Sequence, residues 1–159
     1  LGRQTGRLFR IGGATARDVL RIPTRAGEAL YYELVWTESC GDDRRTEACA
    51  ILRYPLPGPL PLMRIKPEGV FGLANNDLTT EWQEFNREFD VKTDDERVGQ
   101  AVLTKPVQEF LMDRLRGERL AFDGDGVFLW IHRYDVEDVD RCVKLMEELT
   151  ALIPAAAYE

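Results

Sequence analysis

The spacing of apolar residues changes along this chain from period two to helical periodicity, and that change constrains the fold most. Residues 28–39 alternate between apolar and polar positions and are rich in aromatic and branched side chains, a pattern typical of a half-buried strand. Residues 16–25 repeat the pattern more weakly, and residues 46–54 would be the hairpin partner of 28–39. The first two-fifths of the chain therefore predict β-structure.

A proline-rich segment interrupts this pattern. Four prolines fall between positions 55 and 61, and proline cannot donate to a strand ladder, so a connector or an edge is expected there. A strand can resume at 62–66, and Pro67-Glu68-Gly69 would end it. Residues 69–81 indicate a loop. Residues 82–91 indicate an extended segment, with a short helical turn at its start as the alternative.

Helical spacing dominates the second half. Asp94 is predicted to cap a helix that ends near Leu103, and Thr104 a second helix with Pro106 in its first turn and Gly117 beyond its end. Residues 120–123 and 127–133 flank Asp123-Gly124-Asp125-Gly126, which predicts a hairpin. Asp135 would cap a last helix that stops at Pro154. Strands segregated from helices predict an α+β fold, a mostly antiparallel sheet with about three helices on one face.

Length and charge indicate one domain with a basic leader. The 159 residues suit a single domain, and we expect a basic arm at 1–15 and an α+β domain at 16–156. Residues 1–27 hold six arginines and one acid, a net charge of +5, so the rest carries −12 to give −7 overall. An acidic body argues against nucleic-acid binding, whereas the leader suits an anionic membrane surface or a solvated arm. Arg3, Arg7 and Arg10 interrupt any signal-peptide core.

The three cysteines leave two interpretations open. If the hairpin is symmetric about residues 44 and 45, Cys40 and Cys49 face each other, and a disulfide is feasible where their Cα atoms approach within ~7 Å. The alternative is two free thiols in a reducing compartment. Cys142 lies among apolar residues and is predicted to be a small core residue.

No motif predicts a metal, a cofactor or a catalytic residue. His132 is the single histidine and has no Cys-x-x-Cys partner, so zinc is not expected. The Asp-Gly turn resembles the start of a calcium loop without the rest of its pattern. Paired carboxylates can act as acid and base, so the acids of 81–96 leave a hydrolase as a distant alternative to capping and solvation. Those acids are Glu81, Glu84, Glu88, Asp90, Asp94, Asp95 and Glu96.

Aromatic residues suggest one candidate groove. Trp36, Trp82 and Trp130 could line an apolar ligand groove between sheet and last helix, and core packing is the alternative. A small-molecule or lipid carrier would use such a groove.

Several short stretches resemble a family of uncharacterised bacterial proteins that is frequent in actinobacteria. They are Pro67-Glu68-Gly69, residues 84–91, Asp94-Asp95, residues 101–104 and Phe122-Asp123-Gly124. The resemblance carries no catalytic residue with it. It implies that the parent protein is membrane-associated, because such domains often follow predicted transmembrane helices.

Together these observations predict a non-enzymatic interaction or sensory domain at the cytoplasmic face of a bacterial membrane. Its partner would be a protein or an anionic membrane surface.

Overall fold

A computed structural model describes residues 14–40, 43–69, 78–131 and 136–159 of the chain. Its elements in chain order are β1 (Thr15–Thr24), β2 (Gly27–Cys40), β3 (Asp43–Pro67), α1 (Gln83–Glu88), β4 (Phe89–Thr93), α2 (Glu96–Val102), α3 (Lys105–Arg114), β5 (Leu120–Ile131), α4 (Val136–Leu152) and a 3-10 turn, Ala155–Tyr158. The predicted α+β class is confirmed. Residues 1–13, most of the predicted arm, lie outside the described residues.

The sheet is antiparallel and centres on β3. The first half of β3 pairs with β2 on one side and with the second half of β5 on the other. Its second half pairs with β4 and with the first half of β5. β1 pairs with β2 and forms an edge of the sheet. A bulge between Arg17 and Leu20 interrupts β1, and Asp18 there has a φ of 49°.

The proline-rich segment lies within the central strand, so the predicted connector or edge is wrong. Between the pairs Pro55↔Gly126 and Leu60↔Gly124 the register of β3 shifts against β5, and it shifts again before Met63. The prolines therefore occupy positions where the ladder needs few donors, which is where proline is tolerated within sheets.

β5 doubles back on itself, and the hairpin predicted around 124–126 forms. Its two halves also pair with the two halves of β3. Gly124 makes the bend with a φ of 58°, in the left-handed region that glycine tolerates. The bend brings the ends of the strand together, and the Trp130 N–H donates to the Arg119 carbonyl at 3.0 Å.

The two faces of the sheet form separate apolar clusters. One face packs against residues of all four helices and the 3-10 turn, including Phe85, Val102, Leu111, Met146 and Ala157. The opposite cluster draws on strand residues and Ala14, and its centre holds Leu30, Tyr32, Leu34, Ile51 and Phe128. The helices therefore lie on one face, as period-two alternation in the strands predicts.

The helix boundaries follow the predicted caps with one correction. Asp95, not Asp94, caps α2, and its Oδ1 accepts from the Val98 N–H at 3.1 Å. Asp94 is still tied to the sheet, because its N–H donates to the Leu62 carbonyl. Thr104 precedes α3 as predicted, without a side-chain capping hydrogen bond. Residues 83–88 take the helical alternative, and only 89–93 are extended.

The helices of the described residues include none that has both the length and the apolar character to cross a bilayer.

Candidate functional site

The three tryptophans of the predicted groove do not lie together. Trp82 packs against the helix-side cluster, whereas Trp36 on β2 and Trp130 on β5 pack against the cluster on the opposite face. Because strand side chains alternate between faces, the sheet itself separates Trp82 from the other two. A single groove lined by all three is therefore excluded.

The predicted juxtaposition of Cys40 and Cys49 is also wrong. The β2–β3 register pairs Cys40 with Asp43 and Cys49 with Leu34, so Cys40 and Cys49 are not cross-strand partners. Leu34, which pairs with Cys49, lies six positions from Cys40 on β2. At ~3.3 Å per residue this separation is about 20 Å. Cys49 is a free thiol, and burial raises its pKa, with Glu33 as a smaller cause.

Cys142 is a buried free thiol on α4, as predicted for a core residue. Burial raises its pKa to about 11, so the thiol stays protonated at neutral pH, and the thiolate is the reactive form. His132 lies outside the described residues. Among the residues that are described, no three His, Cys, Asp or Glu side chains group as a metal site.

The acids of 81–96 serve several local roles. Glu84 accepts from the Trp82 indole, Glu88 lies 3.7 Å from Arg116, and Asp95 caps α2. Asp90 departs from the expected solvated role: its side chain is 1% exposed and lies 3.1 Å from the Lys66 Nζ. These four acids thus have separate local partners.

A cleft of about 830 Å³ opens between the segment before α1 and the first turn of α3. We name it the α1–α3 cleft. Its volume falls in the range of ~300–1,000 Å³ that is typical of small-ligand sites. Its wall combines polar, charged and aromatic side chains from four parts of the chain. They are Thr79, Thr80, Glu81, Trp82, Gln100, Leu103, Lys105, Gln108 and Glu109.

Asn86 fixes the wall of the cleft that precedes α1. Its amide nitrogen donates to the Thr80 carbonyl at 2.8 Å, and its Oδ1 accepts from the Thr80 N–H and from the Thr80 hydroxyl, each at 3.0 Å. The loop is thereby fastened to the helix that follows it. This contact preorganises the position of Trp82, two residues further along.

Trp82 is held on both its polar and its apolar sides. Its Nε1–H donates to the Glu84 carboxylate at 2.6 Å. Its ring stacks on Phe85 with 6.4 Å between centroids, and Phe85 contacts Phe89 at 5.1 Å. Since Phe85 and Phe89 are fully buried, the indole rests on the rigid core while it lines the cleft.

Gln108 contributes an unsatisfied acceptor. The side chain is 8% exposed, and its Nε2 donates to the Leu103 carbonyl at 2.6 Å. Its Oε1 is buried and has no hydrogen-bond partner among the described residues. A buried polar atom without a partner costs ~1–3 kcal/mol, so a ligand group that donates to this oxygen would recover that free energy.

Two carboxylates, Glu81 and Glu109, also line the α1–α3 cleft. Both residues are exposed, and the Lys105 ammonium lies 3.8 Å from Glu109. The burial that turns one of two carboxylates into a general acid is missing here.

A second, smaller cleft of about 480 Å³ lies where α4 meets the end of β5. Trp130 and Cys142 line it with four charged residues, of which Arg141 pairs with Asp138 at 2.9 Å. Arg114 at its edge reaches Glu148, outside the lining, at 3.5 Å. These ion pairs occupy both arginines, which makes this cleft the weaker candidate.

Of the residues that define the α1–α3 cleft, Trp82 and Glu81 were singled out in the sequence, whereas Asn86 and Gln108 were not, although both carried a signal. Gln108 precedes Leu111 and Leu115 by three and seven positions, so it lies on the apolar stripe of α3, where a polar residue is unexpected. Asn86 stands within the stretch that carries the family resemblance. Thr80, Gln100 and Lys105 carried no signal.

Searches with the sequence against family models and characterised proteins, and with the fold against solved structures, find no match. The resemblance to a bacterial family remains an expectation.

Proposed function

We propose that the chain is a non-enzymatic sensory or interaction domain whose binding site is the α1–α3 cleft. The observation that carries the proposal is the buried, unpartnered Oε1 of Gln108, a residue that lines a cleft of ligand size. The Thr80–Asn86 contacts support it, because a wall held before the ligand arrives lowers the cost of binding.

Nuclear magnetic resonance with ¹⁵N-labelled protein tests the proposal. A library of small amines, amides, carboxylates and sugars is titrated, and the indole N–H signals are assigned by Trp82→Phe. We expect saturable shifts of the Trp82 indole and the Gln108 amide, with the signals of Trp36 and Trp130 unmoved. Shifts confined to Trp130, or no shift with any compound, would refute the proposal.

A matched pair of variants tests the role of the amide. Gln108→Leu keeps the volume and removes the acceptor, so we expect every library hit to bind at least tenfold more weakly. Gln83→Leu makes the same change at an exposed position of α1 outside the cleft lining and should leave binding unchanged. Equal effects of the two changes would contradict the assignment.

A second candidate function is docking on an anionic membrane surface through β1. This edge strand exposes Val19 (38%) and Leu20 (46%) beside the bulge. Arg17 and Arg21 on the strand and Arg25 directly after it are also exposed. Arg21 pairs with Glu28 at 2.6 Å and Arg25 lies 3.6 Å from Glu147, which reduces the basic field. Inserted apolar side chains and nearby cations act together at membrane surfaces.

Co-sedimentation with phosphatidylglycerol vesicles tests this second function. We expect binding at low salt that fails with phosphatidylcholine and falls with Leu20→Ser. Leu152→Ser is the matched control, because Leu152 is an exposed leucine (36%) on α4. Equal losses from both changes, or no binding to anionic vesicles, would dispose of this candidate.

A further inference from the structure

We infer that the α1–α3 cleft recognises an organic cation, an ammonium or guanidinium group attached to a short apolar carbon chain. This inference rests on the proposed function of the cleft as the binding site and names the chemical class of its ligand.

Gln108 lines the cleft and carries a hydrogen-bond acceptor that lacks a donor. Oε1 of Gln108 accepts hydrogen bonds only, and no donor reaches it among the described residues. An ammonium brings three N–H donors and a guanidinium brings five, whereas a carboxylate or phosphate brings none when ionised. The Gln108 amide is held in this orientation, since its Nε2 is already committed to the Leu103 carbonyl at 2.6 Å.

The charges around the cleft favour the same class of ligand. Glu81 and Glu109 line it together with one cation, Lys105. Lys105 lies 3.8 Å from Glu109, and both side chains are more than half exposed, so these two charges largely offset one another. Glu81 makes no hydrogen bond or ion pair within the described residues and leaves a net negative charge at the rim.

Trp82 supplies an aromatic surface for the ligand. Its indole lines the cleft, rests on Phe85 and is fixed by the Glu84 carboxylate at 2.6 Å. A cation held near the face of tryptophan is attracted by the ring quadrupole, and tryptophan is the best of the aromatic residues for this contact. The ring also provides apolar contact for the carbon chain of an alkylammonium.

The N-terminal end of α3 would favour an anion over a cation, so anion binding is the competing outcome. The positive end of a helix favours anions, and Lys105 lies there. Pro106, in the first turn, has no N–H to offer an anion, and the Gln108 N–H is bonded to the Thr104 carbonyl at 3.0 Å. These features weaken the anion site that the end of α3 would otherwise provide.

Titration with four related probes tests the inference on the full chain. The probes are n-butylammonium, n-butylguanidinium, n-butanol and butyrate, at constant ionic strength and up to about 10 mM, the range of weak fragment binding. The readouts are the Trp82 indole and Gln108 amide signals. We expect saturation with both cations and at least tenfold weaker binding of butanol and butyrate.

Two charge-matched variants add a control. Glu81→Gln should weaken n-butylammonium binding about threefold to tenfold, the scale expected of one nearby carboxylate at a partly exposed site. Asp140→Asn removes the same charge from an exposed position on α4 and should change the affinity less than twofold. Equal effects of the two variants would overturn the inference.

The remaining outcomes separate the inference from the proposed function. If butyrate or butanol binds at least as tightly as the two cations, the organic-cation inference is overturned, and the cleft is still a binding site. If none of the four probes saturates, the inference falls. The proposed function falls with it only if the wider library also leaves the Trp82 and Gln108 signals unmoved.

Discussion

The side chain of Asn86 and the backbone of Thr80 exchange two hydrogen bonds, at 2.8 Å from the Asn86 amide to the Thr80 carbonyl and at 3.0 Å from the Thr80 N–H to the Asn86 Oδ1. The two residues are six positions apart, and the contact closes the loop that leads into α1. One wall of the α1–α3 cleft thus depends on a single amide.

Asn86→Ala should therefore lower both stability and cleft binding. The change leaves the partly buried N–H and carbonyl of Thr80 without these partners, and we expect a loss of about 1–3 kcal/mol in the free energy of unfolding. Urea unfolding measures it. Gln83→Ala on the exposed side of α1 is the control and should stay within about 0.5 kcal/mol. Equal stabilities of the two variants would contradict the fastening role of Asn86.

Gln108→Leu should leave stability unchanged or raise it slightly. The substitution removes the cost of the unsatisfied Oε1 but leaves the buried Leu103 carbonyl without its donor, and because each effect is worth ~1–3 kcal/mol the two largely offset one another. Urea unfolding of this variant is the measurement. A loss above about 2 kcal/mol would show that Gln108 is structural rather than a ligand group.

Lys66 and Asp90 should behave as a coupled pair. The Asp90 carboxylate is 1% exposed and the Lys66 Nζ lies 3.1 Å away, so Lys66→Met leaves a buried charge without compensation. Because Lys66 is half exposed, water lessens the effect, and we expect a loss of about 1–2 kcal/mol.

The coupling is measured by urea unfolding in a double-mutant cycle with Asp90→Asn. The double variant should recover part of the loss, whereas Lys105→Met, which breaks an exposed pair, should cost under about 0.5 kcal/mol. Strict additivity of the Lys66 and Asp90 changes would contradict the coupling.

Stability should fall as the pH rises above 9, partly through Cys142. Burial raises the pKa of its thiol from 9.0 to about 11, so between these values the unfolded chain loses this proton while the folded chain keeps it. The unfolded state then binds fewer protons, and the free energy of unfolding decreases with pH. Below pH 9 the contribution of this thiol is fully present.

Urea unfolding at pH 8 and pH 10.5 measures this slope. Cys142→Ala should make the decline smaller, whereas any constant cost of the substitution cancels in the difference. Burial also raises the pKa of Tyr32 to about 12. This residue therefore contributes to the decline of stability with pH in both proteins. A slope unchanged by Cys142→Ala would contradict the buried, protonated thiol.

The class of fold and most element positions could be predicted, because they follow from local periodicity and capping. Residues 28–39 alternate, and α3 follows its cap at Thr104. The prolines of β3 misled the prediction, since a proline excludes a ladder hydrogen bond only where one is needed. The bulges beyond Pro55 remove that need through long-range pairing with β5. The Asp-Gly signal at 123–126 did locate the turn, because Gly124 takes a φ of 58° there and the two arms of β5 meet at the bond from Trp130 to Arg119.

The candidate site was less predictable than the fold. The tryptophans indicated a groove, but the parity of Trp36 and Trp130 in their strands places them on the face opposite Trp82. Gln108 was visible as a polar residue in an apolar stripe. Only the packing of α3 against the residues before α1 gives that position a cleft, and no local pattern records such packing.

The most direct test is whether n-butylammonium contacts the indole of Trp82. Intermolecular nuclear Overhauser effects between its methylene protons and the assigned indole protons measure this contact. We expect effects to Trp82, none to Trp36 or Trp130, and their loss in Gln108→Leu. Effects to Trp36 or Trp130 instead, or to no indole at all while the ligand binds, would contradict this expectation.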